Sequence, residues 1–313
     1  MAKGKKTSLK ASLSSQQSRL KKKQEAAKAA EHAERKGKKQ PTTTKGKAPV
    51  KPAYIPFTST NKILLVGEGN FSFTAALALH PPPILEYLPA GSITATAYDS
   101  EKDCYSKYPD AQGIVTQLRE KGVEVLFGVD ATKLEKCAPL KGKKYDKIMW
   151  NFPHAGKGIT DQDRNILSNQ VLLLGFLKSA APLLTTGSMP TLTKKKKPKS
   201  DDSDDEKEDE AEDEPDLTNA VASRGSILIT LRNVQPYISW NLPKLAKNPP
   251  PPKRVNDPPN PRYIQLRSFA FDRKLWQGYE HRMTKGERAG GKGTTGVGGE
   301  DRTWEFCLKD LDE

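Results

Sequence analysis

The most constraining feature of this chain is short. Residues 61–67 read Asn-Lys-Ile-Leu-Leu-Val-Gly, an unbroken aliphatic run from Ile63 to Val66 stopped by a glycine. A strand with one wet face alternates apolar and polar residues; a run apolar at every position needs cover on both faces, as in the middle of a parallel sheet. Parallel neighbours are joined by long crossovers, usually helices, so the run predicts strands alternating with helices. The rest of the chain agrees. The pattern predicts a helix over 72–79, stopped by Pro81, Pro82 and Pro83, then a strand over 92–98, a helix over 114–121 and strands over 123–128 and 147–151. A long helix over 164–181 and a strand over 227–231 follow. Strands over 263–272 and 302–309, separated by a glycine-rich loop at 290–299, bring the count to seven. The result is an α/β chain with right-handed crossovers and helices on both faces of the sheet.

Two stretches cannot join that core. Residues 1–60 hold sixteen Lys and Arg against three Glu and hardly a large apolar residue, which predicts a disordered basic tail. Within it, 15–39 is rich in helix formers and spaces Glu31 four residues from Arg35, suited to a helix laid along phosphates. Residues 193–222 are expected to be a disordered surface insertion: Lys-Lys-Lys-Lys-Pro-Lys at 194–199, resembling a nuclear import signal, then twelve Asp and Glu against one Lys over 201–216. Ser200 and Ser203 there suit an acid-directed kinase. A proline-rich connector spans 249–261. The folded domain is thus expected over 61–313. The whole chain carries +14, and setting aside both charged segments leaves the remainder basic, which favours a polyanionic partner.

Three separated cysteines, Cys104, Cys137 and Cys307, without a CxxC spacing point to a reducing compartment. Four scattered histidines give no zinc pattern, and no metal is expected. No apolar run approaches the roughly 18 residues of a membrane span, and the basic start lacks the apolar segment of a secretory signal; no membrane partner is expected.

The chemistry gathers at strand ends. Gly67-Glu68-Gly69-Asn70-Phe71-Ser72 lies between the aliphatic strand and a helix, a turn that lets backbone approach a ligand and aims a helix N-terminus at it. As a dinucleotide fingerprint it is defective, because Ser72 stands where the third glycine belongs. It also lacks the acidic residue that methyltransferase turns carry two places before the first glycine; Leu65 stands there. Asp99, at the end of the second strand, can accept both ribose hydroxyls of a nucleoside cofactor of either class. Asp130, after the third strand, suits an adenine amino group or a helix N-cap equally. The fourth strand discriminates. It ends Asn151-Phe152-Pro153-His154, a turn that presents an amide oxygen, a main-chain carbonyl and two flat rings to a planar base. It is similar to the Asn-Pro-Pro-aromatic turn by which amino-methyltransferases hold the attacking nitrogen. The structural alternative is that Phe152 plugs the core and His154 caps a loop.

The segments ILLVGEGNFSFTAALA (63–78), TAYDS (96–100), YDKIMWNFPHAGKG (145–158) and GYEHRMTKG (278–286) resemble the eukaryotic 25S rRNA uridine-N3 methyltransferases, over 62–308 apart from the acidic insertion. The resemblance implies a Rossmann-like, seven-stranded class I methyltransferase sheet, S-adenosyl-L-methionine as cofactor, ribosomal RNA of the pre-60S particle as partner, and a place in the nucleus and nucleolus in ribosome biogenesis. A monomer is expected. On this reading Gly67, Glu68, Gly69, Asn70, Phe71, Asp99 and Asp130 bind the cofactor, and Asn151, Phe152, Pro153 and His154 are catalytic. His154 or Asp161 assists removal of the N3 proton, Phe152 or His154 stacks on the extruded base, and Lys157, Arg164, His281 and Arg282 lie along the RNA backbone. Two alternatives stand beside it: a catalytically silent RNA-binding assembly factor with the same fold, and a nucleotide-dependent oxidoreductase, disfavoured by the missing glycine. All of it requires the turns at Gly67 and Asn151 to be adjoining walls of one cleft.

Overall fold

The aliphatic run forms β1 (Ile63–Val66), all four residues buried, in the interior of a seven-stranded sheet. On one side it pairs in parallel with β2 (Ile93–Thr96), which pairs in parallel with β3 (Glu124–Leu126). On the other it pairs in parallel with β4 (Lys147–Asn151), followed by parallel β5 (Ser226–Arg232). Beyond β5 the direction reverses: β7 (Asp301–Leu308) is antiparallel to β5, and β6 (Tyr263–Ala270) closes the edge antiparallel to β7. The order is β3-β2-β1-β4-β5-β7-β6. The computed structural model describes residues 54–189, 224–252, 257–284, 286 and 299–310. The expectations for the basic tail and its helix, for the insertion with its import signal, Ser200 and Ser203, and for most of the glycine-rich loop fall outside these residues.

Alternation along the strands builds two apolar layers, one per face. Ile63 and Leu65 of β1 pack with Ile93, Ala95 and Met149 under α1 (Ser72–Ala78), α2 (Glu101–Lys107) and α3 (Ala111–Lys121), through Phe73, Leu77, Cys104, Val115 and Leu118. Leu64 and Val66 face the opposite way. They join Ile148, Trp150, Ile227 and Ile229 under α4 (Gln162–Ala180) and α5 (Leu242–Lys247), through Leu173, Phe176, Leu177, Leu242 and Ala246. This is the arrangement that a two-sided apolar strand requires.

Three expectations need correction. The folded part begins before 61: Phe57 is buried, its ring 6.0 Å from that of Trp276, and Tyr54 lies edge-on to Phe269 at 4.7 Å. These aromatics were averaged away in the polar composition of the tail. Helices α2 and α5 were not foreseen, since α2 buries only Cys104 and α5 is six residues with an internal proline. Finally, α4 and the turn after it (Gln162–Leu183) are long and apolar enough on average to cross a membrane. Polar residues interrupt that stretch, so no single run shows it, and its Leu173, Phe176, Leu177 and Ala180 are buried in the core.

Candidate active site

Because β1 and β4 are parallel neighbours with Val66 opposite Trp150, the turns that follow them, at Gly67 and Asn151, leave the same edge of the sheet side by side. Gly67 has φ +68, and a Cβ there would lie 2.4 Å from Trp150 Nε1. Both facts demand glycine. Asp99 and Asp130 follow β2 and β3 at the same carboxyl edge, where ligands of open α/β sheets bind.

The glycine turn is braced from within. The Glu68 N–H donates to the Thr96 carbonyl at 2.8 Å, and Glu68 Oε2 accepts from the Thr74 N–H at 3.2 Å and from Thr74 Oγ1 at 3.0 Å, covering the first turn of α1. Burial pushes the Glu68 carboxyl up to about 7, against the two Thr74 hydrogen bonds. Asn70, 2% exposed, donates to Asp110 Oδ2 at 2.7 Å and accepts from the Ser72 N–H. Phe71 sits at φ 64, fully buried, its ring edge-on to Phe127 at 5.3 Å. The side chains of Asn70 and Phe71 therefore build the turn, and what they offer a cofactor is backbone. Asp99 Oδ1 accepts from Lys107 Nζ at 2.6 Å. Asp130 caps the helical turn at Ala131–Lys136, accepting from Thr132 N–H, Thr132 Oγ1 and Lys133 Nζ. Burial alone would raise its carboxyl; those hydrogen bonds bring it below the usual range.

At β4 the arrangement differs. Asn151 Oδ1 is buried and has no hydrogen-bond partner among the described residues. Phe152 takes φ 50, a conformation costing about 1–2 kcal/mol for a residue with a side chain, fixed by donation of its N–H to the Thr230 carbonyl at 2.8 Å. Its ring lies 4.3 Å from that of His281 and 5.9 Å from that of Phe271, with the Arg273 guanidinium 5.1 Å away. Phe152 thus packs against these three groups and stays half-buried among them. Pro153 is buried behind it. Asn169 of α4, 1% exposed, accepts from the Ala155 N–H and anchors the turn.

His154 Nδ1 accepts from the Gly156 N–H at 2.9 Å, and burial lowers the ring's pKa. A neutral ring with Nδ1 so engaged carries its proton on Nε2, and is set to donate rather than to accept. Asp161, the other expected proton acceptor, caps α4 through the Arg164 N–H at 2.8 Å. A cavity of about 470 Å³ opens beside His154, walled by the start of α4 and by Gln235, Tyr237 and Trp240 after β5. None of these last three was singled out from the sequence. The only signal was an aromatic cluster, Tyr-Ile-Ser-Trp, following a buried strand.

The segment 278–284 ties the two turns together. Ser72 Oγ donates to the Glu280 carbonyl and accepts from its N–H, at 3.0 and 3.1 Å; Tyr108 Oη donates to the Met283 carbonyl at 2.8 Å. Arg282 pairs with Asp110 at 3.1 Å and Glu280 at 2.6 Å, so its charge is already engaged. His281 is driven down to about 4 by burial and by Arg273 and Arg232, and presents a neutral ring to Phe152. Lys157 and Arg164 are exposed.

The strand order, with a reversed seventh strand between the fifth and sixth, makes this a class I methyltransferase fold. Residues 64–283 match the family described as BMT5-like, "rRNA (uridine-N3-)-methyltransferase BTM5-like", and the chain belongs to that family. An uncharacterized protein of Arabidopsis thaliana is 39% identical over 41% of this chain and 60% of its own length. Heavy metal-associated isoprenylated plant protein 41 of the same plant is 26% identical over 74% of this chain, which spans 35% of that relative. The 25S rRNA (uridine(2634)-N(3))-methyltransferase of Saccharomyces cerevisiae is 27% identical over 75% of this chain and 69% of its own length. The chain thus spans less than two thirds of the first two.

Proposed function

We propose that this chain uses S-adenosylmethionine to methylate N3 of a uridine in large-subunit ribosomal RNA, acting as a monomer on pre-60S particles in the nucleolus during ribosome biogenesis, with no membrane partner. The observation that carries this reading is Asn151 Oδ1, buried without a partner among the described residues at the tip of β4, one strand from the Gly67 turn. A buried acceptor left unsatisfied costs on the order of 1–3 kcal/mol. A bound group with an N–H donor, such as an imide or an amine, would supply what is missing. Family membership and the name of the yeast relative support uridine as the target. The +14 charge supports a polyanionic partner.

Bound S-adenosylmethionine supplies a methyl group on a sulfonium. The residues that would hold it are the backbone of the Gly67–Gly69 turn after β1 and Asp99 at the end of β2, a carboxylate able to accept ribose hydroxyls. Asn151 can receive the imide N–H of the bound base before transfer; the N3 proton then passes to solvent water as the nitrogen turns its lone pair to the methyl, and the His154 Nε2–H can donate to a base carbonyl and stabilise the negative charge left on the imide. Holding the reacting nitrogen in line is expected to supply much of the rate.

The test is transfer of label from S-adenosylmethionine to unmethylated large-subunit rRNA by the full chain, followed by nucleoside mass spectrometry. Label in 3-methyluridine is expected; label in another nucleoside, or none, overturns the assignment. Asp99→Ala is expected to abolish transfer by weakening cofactor binding while RNA affinity stays nearly unchanged. For the location, a fluorescent fusion lacking residues 194–199 is expected to lose nuclear accumulation.

A further inference from the structure

We propose that Lys107 is a positioning residue for the cofactor: its ammonium fixes the Asp99 carboxylate through Oδ1 and leaves Oδ2 to accept from the ribose. The inference rests on the transferase reading above, through Asp99 as the ribose acceptor, and adds the residue that sets this acceptor before the cofactor arrives.

Asp99 follows β2 at the carboxyl edge of the sheet, and its main chain is tied to the turn after β3, where the Gly128 N–H donates to the Asp99 carbonyl at 2.9 Å. A carboxylate on a fixed backbone still turns about two side-chain bonds. Lys107 removes that freedom, donating from Nζ to Asp99 Oδ1 at 2.6 Å. Asp99 Oδ2 has no hydrogen-bond partner among the described residues. The local fold makes the reach possible. Ser100 caps α2, its Oγ accepting from the Asp103 N–H at 3.2 Å, so the helix begins directly after Asp99 and ends at Lys107. Side chains on a helix lean toward its N-terminus, which turns the long lysine back along α2 to Asp99. The far end of α2 is held as well. The buried Tyr108 donates from Oη to the Met283 carbonyl at 2.8 Å, and a Cβ on Gly286, at φ +88, would stand 3.2 Å from the Lys107 carbonyl. Lys107 thus works from a backbone gripped by Met283 and Gly286.

Stability does not account for the pair. The Lys107 and Asp99 side chains are 35% and 21% exposed, and ion pairs this open to solvent contribute little to folding. Attraction to the cofactor does not account for it either, since S-adenosylmethionine carries a sulfonium and a lysine ammonium repels it through space. By charge Lys107 disfavours the sulfonium; by ordering Asp99 it favours any ligand with that ribose. In a variant without the ammonium the two effects have opposite signs.

The test is calorimetric titration of the full chain with S-adenosylmethionine and with S-adenosylhomocysteine, which has the same ribose and no sulfonium. Lys107→Met is expected to weaken both about fivefold, the cost of ordering one side chain on binding, with Tm unchanged. Lys107→Arg keeps a donor for Oδ1 and is expected to restore most of the affinity. In turnover the loss is expected in KM for S-adenosylmethionine, with kcat and KM for RNA unchanged. Affinity that rises for the sulfonium ligand alone, or a loss confined to kcat, overturns the proposal. A parent chain that binds neither ligand sinks the transferase reading itself; a parent that binds both, with Lys107→Met binding equally well, sinks only the role of Lys107.

Discussion

The two ends of the sheet are built on opposite principles. At the amino ends of β4 and β5 the fully buried Glu305 takes Lys147 Nζ at 2.5 Å, Ser226 Oγ at 2.6 Å and Arg267 Nε at 2.9 Å. Burial alone would raise its carboxyl, but Lys147 and Arg267 bring it below the usual range. At the carboxyl ends, Asn151 Oδ1 and Trp240 Nε1 are buried without a hydrogen-bond partner among the described residues, Phe152 is held at positive φ, and burial pushes Glu68 up to about 7. One end places two cations of the fold against its buried carboxylate, although Glu305 Oε2 meets Arg267 as an ion pair and not in hydrogen-bond geometry. The other carries unmet polar groups and backbone strain, the pattern expected where a ligand finishes the structure.

The contrast can be broken at either end. The largest effect is expected from Lys147→Met, which leaves Glu305 with Arg267 as its one remaining cation. Removing a partner from a buried pair costs about 3–5 kcal/mol, and the surviving arginine places this loss near 3 kcal/mol, measured by urea unfolding. A loss below about 1 kcal/mol would mean that the amino end is no better satisfied than the other. Asn151→Ala should act oppositely: stability stays level or rises slightly as an orphaned acceptor is removed, while methyl transfer falls on the order of 100-fold, as when a preorganised polar group is deleted from a reacting centre. A destabilised but active variant would make Asn151 structural. Ser72→Ala removes the two-way bond to Glu280 and should cost about 1–2 kcal/mol, visible as lost hydrogen-exchange protection of the Glu280 amide.

The same contrast explains what could be read from the sequence. β4 was legible to the residue because Ile148, Met149 and Trp150 are bounded by Asp146 and Pro153, and β1 because its apolar run ends in an obligatory glycine. That β1 and β4 are neighbours was a requirement of the transferase reading, and their parallel pairing meets it. The fate of Phe152 did not, since its ring is claimed by His281 and Phe271, residues distant in sequence. The same limit hid the cavity: Trp240 and Tyr237 read only as aromatics, and it is α4, through Gln162 and Asn165, that makes them a wall. Helix α2 escaped because one buried cysteine in seven residues leaves no apolar period to detect.

The smallest effect sharpens the comparison most, because it depends on two groups near the glycine turn pulling against each other. Glu68 rises from 4.5 to about 7 on folding, mainly through burial. Between those values the folded chain holds a proton that the unfolded chain has lost, so this contribution is complete below 4.5 and disappears as pH rises through 7. His281 falls from 6.5 to about 4, through burial and then Arg273 and Arg232. There the unfolded chain binds the extra proton, so the contribution is complete above 6.5 and disappears as pH falls through 4. From 4.5 to 6.5 the two slopes are one proton each and of opposite sign, and they cancel. Glu68→Gln should therefore expose a stability, relative to the parent, that rises with pH across this window, and His281→Gln one that falls, each by at most about 1.4 kcal/mol per pH unit. Tm differences from the parent, followed from pH 4.5 to 6.5, read both slopes. Slopes of the same sign in the two variants would show that Glu68 and His281 do not occupy the oppositely shifted states that burial assigns them.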